Sequence, residues 1–184
     1  MNKKANKELI SLIIPCYNEE AVLHICNKRV TEAIKDLNDL DFELIYIDDG
    51  SHDKTYNLLK QLQDNDERLK ILKLSRNFGK EAAVTAGIDY ASGEAAIILD
   101  ADLQDPPELI PDIISKWKEE HVDVVYGQRT SREGDSWLKR TTASAFYTIM
   151  NFISGRVHIP YNAGDFRLMN RRALDALKQL REQH

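Results

Sequence analysis

The run Asp100-Ala101-Asp102-Leu103-Gln104-Asp105-Pro106-Pro107 gathers three carboxylates and an amide oxygen within a few residues. It follows the apolar stretch Ala95–Leu99, which reads as a buried strand, so the acids stand at or just past a strand's carboxyl end. In open α/β sheets that edge is where ligands bind. Carboxylates one residue apart, Asp100 and Asp102, beside the amide oxygen of Gln104, suit a hard divalent cation that also holds a diphosphate. The same residues have a second reading as a helix start, with Asp105 as N-cap, Pro106 and Pro107 next, and Glu108 in the first turn. Capping uses one acid, however, and leaves Asp100, Asp102 and Gln104 for other chemistry.

Two further polar clusters follow apolar runs. In Pro15-Cys16-Tyr17-Asn18-Glu19-Glu20, Tyr17 can stack on a base and Glu19 can accept from a ribose or base group; the segment also reads as a strand-to-helix turn capped by Asn18. In Asp48-Asp49-Gly50-Ser51 an acid stands where a nucleotide fold reads ribose or base; this too reads as a plain Asp-Gly turn. Each cluster is weak alone, and the three in this order are strong. No Gly-x-Gly-x-x-Gly follows the first strand and no Gly-x4-Gly-Lys-Ser/Thr occurs, which argues against dinucleotide oxidoreductases and P-loop enzymes. The five histidines are scattered, and Cys16 and Cys26 have no partner at metal-ligand spacing.

These clusters need a scaffold, and the periodicity supplies one. Strands are predicted at Leu9–Pro15, Phe42–Ile47, Leu69–Leu74, Ala95–Leu99 and Val122–Gly127. Helices are predicted at Glu20–Leu37, through Leu58, Leu59 and Leu62 (capped by Ser51 or Asp53), at Gly79–Ala91 and at Pro106–Glu120. Strands alternating with helices imply βαβ units, a mainly parallel sheet and helices on both faces. The fold class is therefore three-layer α/β/α. Beyond Arg129 the pattern changes: a polar stretch to Asp135, helical spacing from Trp137 to Ile153, a short strand at Asp165–Met169 and a helix from Arg171 to Leu180.

A chain of 184 residues, 42% hydrophobic and 30% charged, suits one globular domain. No apolar run approaches the ~18 residues of a membrane span, and Met1–Lys4 leads into a strand without a signal-peptide core. Two cysteines make no disulfide framework, which points to a reducing compartment. The net charge of −5 argues against nucleic acid as a partner. The charge is uneven: from Arg129 to Arg172 eight Lys/Arg face three acids, a net +5 that leaves −10 elsewhere. That zone suggests an anionic partner, although a solvated mixed surface would look the same.

With the segments Ser75-Arg76-Asn77-Phe78-Gly79-Lys80-Glu81, Gly127-Gln128-Arg129 and Gly164-Asp165-Phe166-Arg167-Leu168-Met169 added to the three clusters, the chain resembles the family-2 glycosyltransferases. Within them it is most similar to the polyprenyl-phosphate sugar transferases, a group that holds bactoprenol glucosyltransferases and dolichol-phosphate mannose synthases. Gly164–Met169 and Ser136-Trp137-Leu138-Lys139-Arg140 favour the glucosyltransferase side. The resemblance implies the nucleotide-diphospho-sugar transferase (GT-A) form of the α/β/α fold, covering residues 1–184, with 129–184 facing acceptor and membrane.

It also implies roles. Pro15, Tyr17, Glu19 and Asp49 hold the uridine of a UDP-sugar donor, Asp100 and Ala101 sit near ribose and diphosphate, and Asp102 and Gln104 ligate Mg²⁺ or Mn²⁺. Arg129, Arg132, Lys139 and Arg140 meet phosphate of the donor or of a polyprenyl-phosphate acceptor. Asp165 is the carboxylate near the reacting centre, with Arg129 and Arg167 beside it. The implied reaction is an inverting transfer, glucose first, at the cytoplasmic face of the cell membrane. Trp137–Ile153 either lies against the bilayer or packs in the core. A sugar-hydroxyl acceptor and a GDP-mannose donor are the alternatives, and the oligomeric state stays open, a homo-oligomer included. Membrane-bound relatives continue into transmembrane helices, so the expectation is a chain lacking that anchor, or else a naturally soluble relative.

Overall fold

The structure, a computed structural model, describes residues 7–128 and 163–179. In chain order these form β1 (Glu8–Cys16), α1 (Leu23–Ile34), β2 (Leu40–Asp48), α2 (Thr55–Gln63), β3 (Leu69–Lys73), α3 (Lys80–Tyr90), β4 (Ala95–Ile98), a 3₁₀ turn (Pro107–Leu109), α4 (Ile110–Glu120), β5 (Val124–Gln128), β6 (Ala163–Asn170) and α5 (Arg171–Gln179). The chain divides into two compact units, Met1–Val125 with Asp165–His184, and Tyr126–Gly164.

The strands form one sheet in the order β3-β2-β1-β4-β6-β5. β1 pairs in parallel with β2 and β4, and β2 with β3, whereas β6 runs antiparallel to β4. β1 and β2 are apolar on both faces, as strands covered on both sides must be. Ile10, Leu12, Ile14, Leu44, Tyr46 and Ile97 pack under α1, α2 and α4, and Ile13, Ile45, Ile47, Ala96 and Ile98 pack under α3 and α5. The three-layer α/β/α architecture is therefore as expected. β1 has β2 on one side and β4 on the other, so the strand order reverses between β1 and β4, the position where doubly wound sheets open a crevice at their carboxyl edge.

Several helix starts differ from the sequence reading. α1 begins at Leu23, after a loop in which Asn18 takes φ +56° and its side chain accepts the His52 N–H instead of capping α1. Neither Ser51 nor Asp53 stands at the N-cap of α2, which Lys54 occupies without a side-chain cap; Asp53 does accept the Thr55 N–H at 2.9 Å, and Ser51 accepts the Asn18 N–H at 3.0 Å. Pro107–Leu109 winds as a 3₁₀ turn before α4.

The amino edge of the sheet holds a buried polar knot. Glu43, on β2, is 3% exposed. Its Oε1 accepts the Ser11 hydroxyl at 2.5 Å and the Ser92 N–H at 2.8 Å, and its Oε2 accepts the Lys70 ammonium at 2.6 Å. Burial pushes the Glu43 carboxyl up, but the Lys70, Ser11 and Ser92 donors outweigh it and bring the pKa down to about 2.

Candidate active site

The carboxyl ends of β1, β2 and β4 open together. Cys16 is level with Asp48 in the β1–β2 register, and Ile13 is level with Ile98 in the β1–β4 register. The loops that leave these ends enclose a cleft of about 290 Å³ lined by Pro15, Cys16, Tyr17, Glu19, Asp49, Asn77, Gly79, Lys80, Ala83, Asp100, Ala101 and Asp102. All seven residues expected to hold a nucleotide sugar, Pro15, Tyr17, Glu19, Asp49, Asp100, Ala101 and Asp102, are among them.

The loops after β1 and β2 are sewn together. Asn18 N–H donates to Ser51 Oγ, Glu19 N–H to Thr55 Oγ1 at 2.8 Å, Glu20 N–H to Asp53 Oδ2 at 3.1 Å, and Lys54 N–H back to Glu20 Oε2 at 3.0 Å. This fixes the platform that carries Tyr17, whose ring is 40% exposed and meets the His52 ring edge-on at 6.4 Å between centroids. Such a platform suits stacking on a planar base. Opposite it, the Lys80 ammonium lies 2.6 Å from Asp100 Oδ2. Asn77, Gly79 and Lys80 were not assigned to the site from sequence. Their signal was present in Ser75–Glu81, but only the β3–α3 crossover shows that this segment returns to β1.

The cleft is electronegative. Burial raises the Glu19 carboxyl, and the nearby charges of Asp102, Asp53 and Asp100 raise it further. Asp102 sits on a tight turn: its Oδ1 accepts the Gln104 N–H at 3.0 Å, and Leu103 between them holds φ +64°, a conformation that costs a non-glycine residue energy. Among the described residues no three His, Cys, Asp or Glu side chains are grouped as a complete cation cage. A Mg²⁺ or Mn²⁺ ion held by one or two protein oxygens and completed by substrate phosphates needs no such cage, and the excess negative charge around Asp102 fits that arrangement. Gln104, the other expected ligand, is exposed and lies outside the cleft lining, and its N–H donates to Asp102. Cys16 and Cys26 are buried and free; burial pushes Cys16 well up and Cys26 to about 12, so neither is a thiolate ligand.

The sequence matches the description "Glycosyl transferase family 2" over residues 11–178. The chain belongs to glycosyl transferase family 2. This family-2 domain is 47% identical over 173 residues to an uncharacterized glycosyltransferase of Synechocystis sp., covering 94% of this chain and 54% of that protein. It is 43% identical over 175 residues to the bactoprenol glucosyl transferase of Shigella phage SfV, covering 95% of this chain and 56% of that protein. The chain thus spans about half the length of these relatives. Among solved structures it is similar to a mannosyltransferase from Pyrobaculum calidifontis in complex with GDP-Man and Mn²⁺ (TM-score 0.66, 19% identity, 94% of this chain and 47% of that one). It is also similar to S. aureus TarS 1–349 in complex with UDP-GlcNAc (TM-score 0.56, 25% identity, 69% and 36%). Both likenesses agree with the GT-A form of the α/β/α fold.

The remaining expected residues of this family-2 transferase divide. Arg129, Arg132, Lys139, Arg140 and the helical stretch Trp137–Ile153 lie outside the described residues. The backbone of Asp165 lies in β6, and its side chain is outside the description. Arg167 stands on β6 level with Ile98, two residues short of Asp100; its Nε is buried without a hydrogen-bond partner among the described residues. Of the basic zone read from the sequence, the structure describes the side chains of Arg167, Arg171 and Arg172. β6 runs away from the cleft, so Arg171 reaches the carbonyls of Ala91 and Gly93, and Arg172 pairs with Asp123, at the sheet's other edge. Among the described residues no helix is long and apolar enough to cross a membrane.

Proposed function

We propose that this family-2 transferase moves a hexose, glucose first, from a UDP-sugar to a polyprenyl phosphate with inversion at the anomeric carbon. The observation that carries the donor half is the convergence of Pro15, Tyr17, Glu19, Asp49, Asp100, Ala101 and Asp102 on one cleft at the switch point of the sheet. The acceptor half and the choice of glucose are supported by a relative named bactoprenol glucosyl transferase.

In this reading Tyr17 stacks on the uracil, Glu19 accepts from the ribose or base, and Asp100 and Ala101 line the path of the ribose and diphosphate. Asp102 would hold Mg²⁺ or Mn²⁺, its turn fixed by the Gln104 N–H, with Gln104 as the second expected ligand. When bound there, such an ion would supply positive charge against that developing on the departing diphosphate. An oxygen of the acceptor phosphate forms the new bond to the anomeric carbon while the bond to the UDP oxygen breaks, and UDP leaves with the electron pair. A phosphate monoester is largely ionised near neutral pH, so Asp165 orients acceptor or donor as much as it takes a proton. Arg129, Arg132, Lys139 and Arg140 receive the acceptor phosphate through charge-assisted hydrogen bonds, with Arg167 beside the centre. The site then works at the cytoplasmic face of the membrane.

The test is sugar transfer to a short polyprenyl phosphate by the protein, comparing UDP-glucose, UDP-N-acetylglucosamine and GDP-mannose. Lipid-linked glucose is the expected product, and Arg129→Ala and Asp165→Asn should each depress turnover at least tenfold with little change in UDP affinity. Preference for GDP-mannose would overturn the donor assignment, and product formed only on free sugars would overturn the acceptor.

A further inference from the structure

We infer that Lys80 is a further donor-binding residue, whose ammonium meets the diphosphate of the nucleotide sugar. The inference rests on the cleft being the donor site, and it starts from a charge imbalance. Among the described residues that line the cleft, Glu19, Asp49, Asp100 and Asp102 are acids and Lys80 is the single base. A diphosphate is itself an anion. The carboxylates repel it, and the cation among them marks where it is accepted.

Lys80 is also an unfavourable choice for the helix it begins. Gly79 is the N-cap of α3, so Lys80 is its first helical residue. The N-terminus of a helix carries partial positive charge, which favours an acid such as the neighbouring Glu81 and disfavours a lysine. Helix stability thus gives no reason for a cation here. The ion pair with Asp100, at 2.6 Å, gives little more, because the Lys80 side chain is 39% exposed and water weakens the attraction.

What the position does give is aim. The β3–α3 loop is fixed to the end of β2. Leu74 N–H donates to the Asp48 carbonyl at 2.9 Å, and the Phe78 and Gly79 N–H groups donate to Asp49 Oδ1 and Oδ2 at 2.8 and 2.9 Å. A Cβ on Gly50 would fall 2.4 Å from the Arg76 carbonyl carbon, so the loop and the end of β2 touch backbone to backbone. From a helix start held there, the Lys80 stem reaches past β1 and brings the ammonium to Asp100 Oδ2, just beyond β4. The loop's other cation, Arg76, lies over the Phe78 ring at 4.2 Å and is not among the lining residues. Asp100 opens the segment proposed to run beside ribose and diphosphate, so the ammonium stands on the donor's path. A lysine carries three N–H donors on a rotatable stem, and a phosphate oxygen can share it with Asp100 through a charge-assisted hydrogen bond.

The test is calorimetry with Mn²⁺ on wild type, Lys80→Met and Lys80→Arg, titrating UDP and UDP-glucose directly and uridine in competition with UDP. Lys80→Met should weaken UDP and UDP-glucose alike by about tenfold or more, the range for a lost hydrogen bond to a charged group. Uridine, which has no phosphate, should weaken less than about twofold. Lys80→Arg keeps the charge and should lose less than Lys80→Met. Uridine weakened as much as UDP would mean that the lysine only shapes the loop. UDP-glucose weakened while UDP is not would mean a contact with the sugar, and equal losses in the two variants would mean that the charge plays no part. Each of these results, like wild-type UDP affinity in Lys80→Met, would overturn the inference. If UDP does not bind the wild type, it is the donor reading that fails, and this inference falls with it.

Discussion

Single side chains here are read by their neighbours more than by their type. Asp102 and Glu43 are both acids near strands, yet one is exposed at the carboxyl edge and the other is sealed at the amino edge. For Asp102 the expected outcome of Asp102→Asn is a fall of tenfold or more in metal-supported UDP affinity, with an unchanged melting temperature, since the side chain supports only a surface turn. Glu43 is the reverse case. Glu43→Gln should lower stability by about 2–3 kcal/mol at pH 7 by leaving Lys70 and the Ser11–Ser92 donors poorly matched. Because the native pKa of Glu43 is about 2, below its ordinary value of 4.5, its contribution is complete above pH 4.5 and drains away as pH falls toward 2. Urea midpoints of wild type and Glu43→Gln should therefore converge between those pH values, and a constant gap would show that the carboxylate's charge is irrelevant. The sequence made Asp100, Asp102, Tyr17 and Glu19 legible because each follows an apolar run. Glu43 was hidden inside one, since the register that brings Ser11, Lys70 and Ser92 to it is set by three strands at once.

At the level of elements, the alternation of apolar runs and amphipathic stretches located every described strand and helix, with ends shifted by a few residues. The shifts have local causes: the loops after β1 and β2 spend their capping side chains on each other, so α1 and α2 start late. The reversed direction of β6 was not legible, because a short apolar strand carries no mark of its orientation and the route to it lies in residues 129–162. The close seat of α3 was not legible either. A Cβ at Gly87 would fall 2.5 Å from Ile13 Cγ2 and 2.9 Å from Ile47 Cδ1. Gly87→Val should therefore force the helix off the sheet and cost about 2–3 kcal/mol, read as a lowered thermal midpoint. Displacing α3 also displaces Lys80, so UDP affinity should fall with stability in this variant. A loss of stability alone would mean that the helix start is held independently of its body.

Across the whole molecule, the sheet does one thing for function: it brings the ends of β1, β2 and β4 to a common edge and seats α3 against β1 and β2, from where Lys80 reaches Asp100 after β4. β6 carries Arg171 and Arg172 to the edge away from the cleft, where they bond to Gly93 and Asp123. The cations proposed to meet an acceptor phosphate, Arg129, Arg132, Lys139 and Arg140, lie outside the described residues, and the chain spans only about half of relatives such as the phage bactoprenol glucosyl transferase. The cleft proposed for the donor lies entirely in the first compact unit. Its occupancy is the claim on which the rest depends. The most direct test is UDP titration by calorimetry into the 184-residue protein, with Mn²⁺ and again with excess chelator, with GDP as competitor. One UDP site is expected, weakening at least tenfold without the metal and tighter for UDP than for GDP. Equal affinity with and without metal, or tighter binding of GDP, would contradict it.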